Sequence, residues 1–407
     1  MINHILNFAV SSIVFFLIFG PFFPDVIVSS SALIFLVYVV RKKKFYYFNN
    51  KPLIIFFIFC LYCILVSIFV AKDTMLSFDS SLFYFRIGVF ACLIWHLIDQ
   101  NKRILTYFYY ILIVCFVVLI VDGYIQFFTG TNIIGLPKSG VRISSFFGDE
   151  LIIGSYLSRL FPLLFALFVL KEKKQLELYS MIILFILLSG LIYISGERAA
   201  FFLFILSFMF MIIFLEKFVR LKILLSVLSL ILIVVLTFSF SEVKNRMVSN
   251  PVDNIKKSIF TPEHDSLIRT AYNMFLDKPI LGQGPKMFRV ICKDEKYAAG
   301  ITPCMTHPHN FYVQLLAETG IIGFSFLFSV FIYVLYCVYR QFKTIVLRQK
   351  RYLTNYQVCL LAGILITVWP LTTNGNFFHN WLMIVYSLPV GFYLHSIYGK
   401  NSKNISF

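Results

Sequence analysis

Residues able to do chemistry gather in three polar segments, 122–150, 241–310 and 372–380, and the densest cluster is Thr306-His307-Pro308-His309-Asn310. Pro308 restricts His307 to extended geometry. An imidazole that is neutral near pH 7 can take a proton from a hydroxyl. By residue type alone, however, a histidine pair ahead of a helix is more often a surface loop or an incidental ligand site than a catalytic base. Zinc is a weaker reading, because the only further ligand near in sequence is Cys304. His309 and Tyr312 share a helical face, whereas Glu318 falls nine residues on, about half a turn away, and makes a poor partner for His309.

The arginines form the second group. Arg86 and Arg159 lie inside apolar runs, Arg198 lies between two such runs, and Arg142 precedes Ser144 to Glu150. An arginine at mid-membrane costs about 2.5 to 3.5 kcal/mol, so each needs a reason. One reason is an ion pair with Asp79, Asp122, Asp149 or Glu150. Another is an anionic headgroup at the membrane surface. A lipid diphosphate fits, since its charge stays at the interface and guanidinium forks bind phosphate in a bidentate manner. Thr261-Pro262 is a helix start, predicted to run to about Leu276. Arg269, Tyr272 and Asn273 then share one face, with Leu267, Ala271 and Phe275 free to pack elsewhere. A solvated arginine on an amphipathic helix explains that face as well as a ligand does.

The elements that must position these groups are membrane spans. The chain has 407 residues, 59% hydrophobic and 14% charged, with a mean hydropathy of +0.85. A soluble chain needs about a quarter charged residues, so a water-soluble fold is excluded. Apolar runs near 5–22, 25–40, 53–71, 81–98, 104–123, 150–170, 178–196, 199–216, 221–240, 311–339, 356–372 and 381–397 are each long enough to cross a hydrocarbon core about 30 Å thick. The run at 311–339 begins as an amphipathic stretch that Gly320 and Gly323 interrupt. The net charge of +17 lies between spans rather than on one polar face, which argues against nucleic acid. Basic tracts close one side: Arg41 to Lys44 with Lys51, Lys102 with Arg103, Lys171 with Lys173 and Lys174, Lys217 with Arg220 and Lys222, and Arg340 to Arg351. The positive-inside rule puts that side and both termini in the cytoplasm and the 241–310 loop outside. No cleavable signal peptide is expected. The organisation is residues 1–240 as nine spans, 241–310 as a periplasmic loop and 311–407 as three further spans. Cys292 and Cys304 are the two cysteines on the oxidising side and are expected to form a disulfide, stabilising the loop by up to about 3 kcal/mol. Cysteines 60, 63, 92, 115, 337 and 359 lie in apolar runs and read as small hydrophobic residues.

Gly282-Gln283-Gly284-Pro285, then His307-Pro308-His309-Asn310 followed by Leu315-Leu316-Ala317-Glu318-Thr319-Gly320-Ile321-Ile322-Gly323, resembles the signature of the O-antigen ligase and polymerase superfamily. Arg142 to Glu150 and Gly196-Glu197-Arg198 resemble its other recurrent segments, with Arg269 in the expected helix. The resemblance implies an all-α polytopic membrane protein of about 12 transmembrane helices, GT-C-like, with one long periplasmic loop containing short helices. It implies inverting, metal-independent glycosyl transfer from an undecaprenyl-diphosphate-linked glycan donor. The acceptor would be lipid A-core for a ligase, or another lipid-linked glycan for a polymerase. His309, Arg269 and Arg198 would be catalytic; Arg142, Arg86, Tyr272, His307, Asn310 and Tyr312 would bind substrate. No metal or cofactor is implied, and the partners are the two substrates and membrane lipids in the bacterial inner membrane. A polysaccharide flippase is the rival from another class, and would need polar groups down a central path. Only Arg159 is placed for that.

Overall fold

The structure is a computed structural model and describes residues 2–171, 175–216, 218–255 and 261–400. Lys173, Lys174 and Lys217 of the basic tracts lie outside these residues. Apart from two isolated bridges, the described residues with regular structure are all helical. Among the described residues, nine helices are long and apolar enough to cross a membrane: Phe22–Lys42, Lys51–Phe69, Thr74–Gln100, Arg103–Thr129, Ile153–Leu170, Gln175–Ile194, Val219–Ser239, Phe311–Val346 and Asn380–Tyr398. The apolar runs at 5–22, 199–216 and 356–372 form shorter helices, Leu6–Phe16, Arg198–Phe214 and Asn355–Thr367. Buried aliphatic and aromatic residues join the helices into one core. Val114, Val117, Val118 and Val121 lie exposed along one stripe of Arg103–Thr129, as a face turned to lipid would be.

Polar side chains fix the segments between helices. Gln126 Oε1 accepts the backbone N–H groups of Ser144 and Ser145 at 2.9 and 2.7 Å. Asp122, offered above as an ion-pair partner, instead accepts Ile133 N–H at 2.8 Å and the Ser145 hydroxyl. The loop bearing Arg142 is therefore tied to the end of Arg103–Thr129. Glu197 accepts the N–H groups of Gly154 and Ser155 at 2.6 and 3.0 Å, so the residue before Arg198 caps the start of Ile153–Leu170. An N-terminal turn favours such a carboxylate.

The glycine motifs have a shared backbone explanation. The helix Phe311–Val346 breaks at Gly320, where φ is 60° and ψ is −165°. Residues 279–284 lie against the break: Gln283 N–H donates to Ala317 O at 3.0 Å, Gly284 N–H to Glu318 O at 2.8 Å, and Ile321 N–H to Pro279 O at 2.9 Å. Backbone groups released by the kink are thus satisfied by the glycine-rich loop. A Cβ on Gly282 (φ 71°) would stand 2.4 Å from backbone atoms of Glu318 and Thr319. Gly282→Ala is expected to destabilise the protein by about 2 kcal/mol or more. The check is its thermal midpoint in detergent, and a midpoint equal to that of the native chain would refute this contact.

Candidate active site

The amphipathic helix Pro262–Asp277 starts where the sequence indicates, with Thr261 Oγ1 accepting His264 N–H. Its buried residues Leu267, Ala271 and Met274 form a small separate core with Phe288, Ile291, Cys292, Tyr297 and Ala317. Asp277 at its end accepts hydrogen bonds from Tyr297 OH at 2.7 Å and Gln283 Nε2 at 3.0 Å and pairs with Lys296. These donors, Lys296 first, hold its carboxyl well below the usual range. Cys292 and Cys304 are joined by a disulfide, with Cα atoms 5.0 Å apart. The six other cysteines are buried. Reduction is expected to loosen residues 288–305 by up to about 3 kcal/mol. Hydrogen exchange with and without a thiol reductant would read this, and unchanged protection would contradict it.

Three imidazoles meet beside this core. The ring centroids of His307 and His309 are 4.1 Å apart, and those of His309 and His264 are 5.7 Å apart. His309 sits at φ 57°, one residue before the N-cap of Phe311–Val346. Its carbonyl accepts Asn374 N–H at 2.8 Å. Asn374 Oδ1 in turn accepts Arg159 Nη2 at 2.9 Å, and the Arg159 guanidinium lies 4.0 Å from the Tyr386 ring centroid. The arginine inside the span thus anchors the segment against which His309 is set. Burial, and next the neighbouring His264, lowers the pKa of His309. His307 is pushed down to about 3 by burial first and then by His309. His264 is lowered by burial, with Arg198 also acting in that direction. All three favour the neutral imidazole, which can accept a proton.

Guanidinium groups gather at the His264 end. Arg246 Nε donates to Gly196 O at 3.2 Å, and Arg142 and Arg246 both stand against Gly196, next to Glu197 and Arg198. Burial lowers the Arg246 pKa, and Arg198 and Arg142 lower it further. Arg142 gives Nη2 to Leu151 O at 2.8 Å, and its buried Nε has no partner among the described residues. Glu197, the acid beside Arg198 in sequence and the one on which Arg142 acts, is engaged as a helix cap. Packed like charges of this kind suit an anion with several oxygens.

Other expected site residues have different surroundings. Arg86 pairs with Asp25 and donates to Ser29 Oγ at 2.6 Å, so its charge is already neutralised. The expected ligand Asn310 caps Phe311–Val346 and donates Nδ2 to Pro370 O and Thr372 O at 2.8 and 3.2 Å. The Tyr312 hydroxyl is buried and donates to Val368 O. Polar atoms of these three are engaged by protein partners, although the buried Arg86 Nε has none among the described residues. Arg269, with a side chain 68% exposed, pairs with Asp265 at 2.8 Å, and Tyr272 is also exposed. His264 and Arg246 were missed by the sequence reading. His264 stands three residues after Thr261, where it reads as a first-turn residue, and Arg246 follows the last apolar run like any flanking charge.

Residues 183–328 match the family model described as O-antigen ligase. Over that segment the chain is similar to the O-antigen ligase superfamily, and the match supports that family. The matched residues include Arg198, Arg246, His264, Arg269 and His309. No curated protein matches the chain.

Proposed function

We propose that the protein is an O-antigen ligase, transferring a glycan from undecaprenyl diphosphate to lipid A-core at the periplasmic face of the bacterial inner membrane. The observation that carries this reading is the row of neutral imidazoles ending on the Arg142, Arg198 and Arg246 cluster. His309 takes the proton of the acceptor hydroxyl as its oxygen forms a bond to the anomeric carbon. The bond from that carbon to the diphosphate oxygen breaks on the opposite side, inverting the centre. The leaving diphosphate keeps the electron pair, and Arg198, Arg246 and Arg142 stabilise its charge. That charge is then met by guanidinium groups without a divalent ion. Arg269 keeps a part because its exposed pair with Asp265 is worth about 0.3 to 0.5 kcal/mol and exchanges readily for phosphate.

The test uses the purified protein in liposomes with a polyprenyl-diphosphate-linked glycan and either lipid A-core or a second lipid-linked glycan. Glycosylated lipid A-core formed in the presence of a chelator supports the ligase. Elongated lipid-linked glycan alone would make the protein a polymerase. Movement of donor across the bilayer with no glycan joined would replace both with a flippase.

A further inference from the structure

We propose that Lys286, Arg289 and His379 form a second anion subsite, at the His307 end of the imidazole row, which holds a phosphate group of the acceptor lipid. The inference rests on the transferase reading above and adds the place of the second substrate. The groups that bear on one another have an order. Arg198 acts on His264, and Arg142 and Arg198 act on Arg246. At the other end Phe288 N–H, next to Arg289, donates to Glu318, and Gln314 Nε2 joins Glu318 to Asn376, three residues before His379; there Arg289 and His379 act on His307, and Lys286 and Arg289 act on His379. With the imidazoles at 5.7 and 4.1 Å spacings between them, His309 lies between two cationic groups.

The second group is built into the fold. Lys286 holds a left-handed backbone at φ 59° directly after Gly284-Pro285. Gly284 N–H is bonded to Glu318 O, and Phe288 N–H donates to Glu318 Oε1 at 3.0 Å, so the residues around Lys286 and beside Arg289 are pinned to the kinked helix. The other carboxylate oxygen of Glu318 accepts Gln314 Nε2 at 2.9 Å. The buried carboxylate that interacts with both Lys286 and Arg289 is therefore engaged by neutral donors, and Asp79, the other acid acting on Lys286, is exposed. Arg289 Nε is buried with no hydrogen-bond partner among the described residues. A buried guanidinium nitrogen without an acceptor is costly, and an anion supplies the acceptor. His379 is placed by its own cap, where its Nδ1 accepts Leu382 N–H. Two anion sites on either side of one base suit a reaction that joins two lipid-anchored substrates, since each headgroup is then fixed at the interface with its sugar turned toward His309.

Two measurements on the full chain test this. Titration with inorganic diphosphate should find two sites per chain in the native protein and one in the Lys286→Gln, Arg289→Gln double variant. Arg198→Gln with Arg246→Gln should remove the other site. In liposomes, the Lys286, Arg289 variant should raise the acceptor KM about tenfold to hundredfold, with donor KM unchanged. Phosphatase-treated acceptor should produce the same rise in the native protein, which keeps the test open if the double variant fails to fold. The acceptor whose KM responds, phosphorylated lipid A-core or lipid-linked glycan, identifies the source of the phosphate. Two diphosphate sites with no glycosyl transfer would remove the proposed function and leave the subsite standing. A single diphosphate site in the native protein, or an acceptor KM indifferent to both changes, would overturn the subsite.

Discussion

His309→Ala is expected to lower turnover by about 10² to 10⁴ with the fold retained, the usual contribution of a positioned general base. The imidazole is set between His264 and His307, and the backbone is held by Asn374 N–H. Because φ is 57° here, alanine carries some backbone strain, whereas asparagine tolerates the left-handed region. His309→Asn is therefore the cleaner control and should lose as much rate with a native thermal midpoint. The pH dependence has a defined sign. A base must be unprotonated, and the His309 pKa is lowered from the ordinary 6.5 by burial and by His264. The native rate should accordingly hold below pH 6.5 and fall about tenfold per unit only below the shifted value. The residual rate of the asparagine variant should lack that limb. Turnover within about twofold of native in both variants would take His309 out of the mechanism.

Arg198→Gln and Arg246→Gln should each lower turnover by about 10² to 10³, the loss typical when one stabiliser of developing charge is removed from a preorganised site. Lysine should not restore Arg198, since a point charge lacks the fork that meets two phosphate oxygens at once. The structure also separates this role from a structural one. Burial lowers the Arg246 pKa, and Arg198 and Arg142 lower it further, so like charges meet at Arg246. Removing one positive charge from such a group should leave the thermal midpoint unchanged or raise it. A lowered midpoint with native turnover would assign these arginines to folding. Neither variant should change the acceptor KM, which distinguishes them from Lys286 and Arg289.

Much of the fold was legible because its causes are local. Run length and apolar composition marked the apolar helices. Thr261-Pro262 marked the start of the amphipathic helix, and Gly320 marked the break in the long one. The glycines of 282–284 were visible as a motif, but their reason was not. Gly282 is small because residues 279–284 meet residues 317–321 backbone to backbone, and Gly284 because Ala71 stands against it, both long-range contacts with no periodic signal.

The histidine and arginine site divides along the same line. Sequence could name His309 and Arg198 from residue type and motif, and it could limit the remaining candidates to arginines and polar residues near the same membrane side. It could not find His264 or Arg246, which look like ordinary flanking residues until three loops converge. Nor could it tell that Asp25 already neutralises Arg86, or that Arg159 reaches Asn374 across the bundle. By itself the sequence determined that the chain is a multi-pass helical membrane protein with its reactive groups in polar segments between spans. That follows from transfer free energies summed residue by residue. The tertiary structure decided which cations gather and which imidazoles touch. Such pairings depend on distances between segments far apart in the chain, set only when the helices pack.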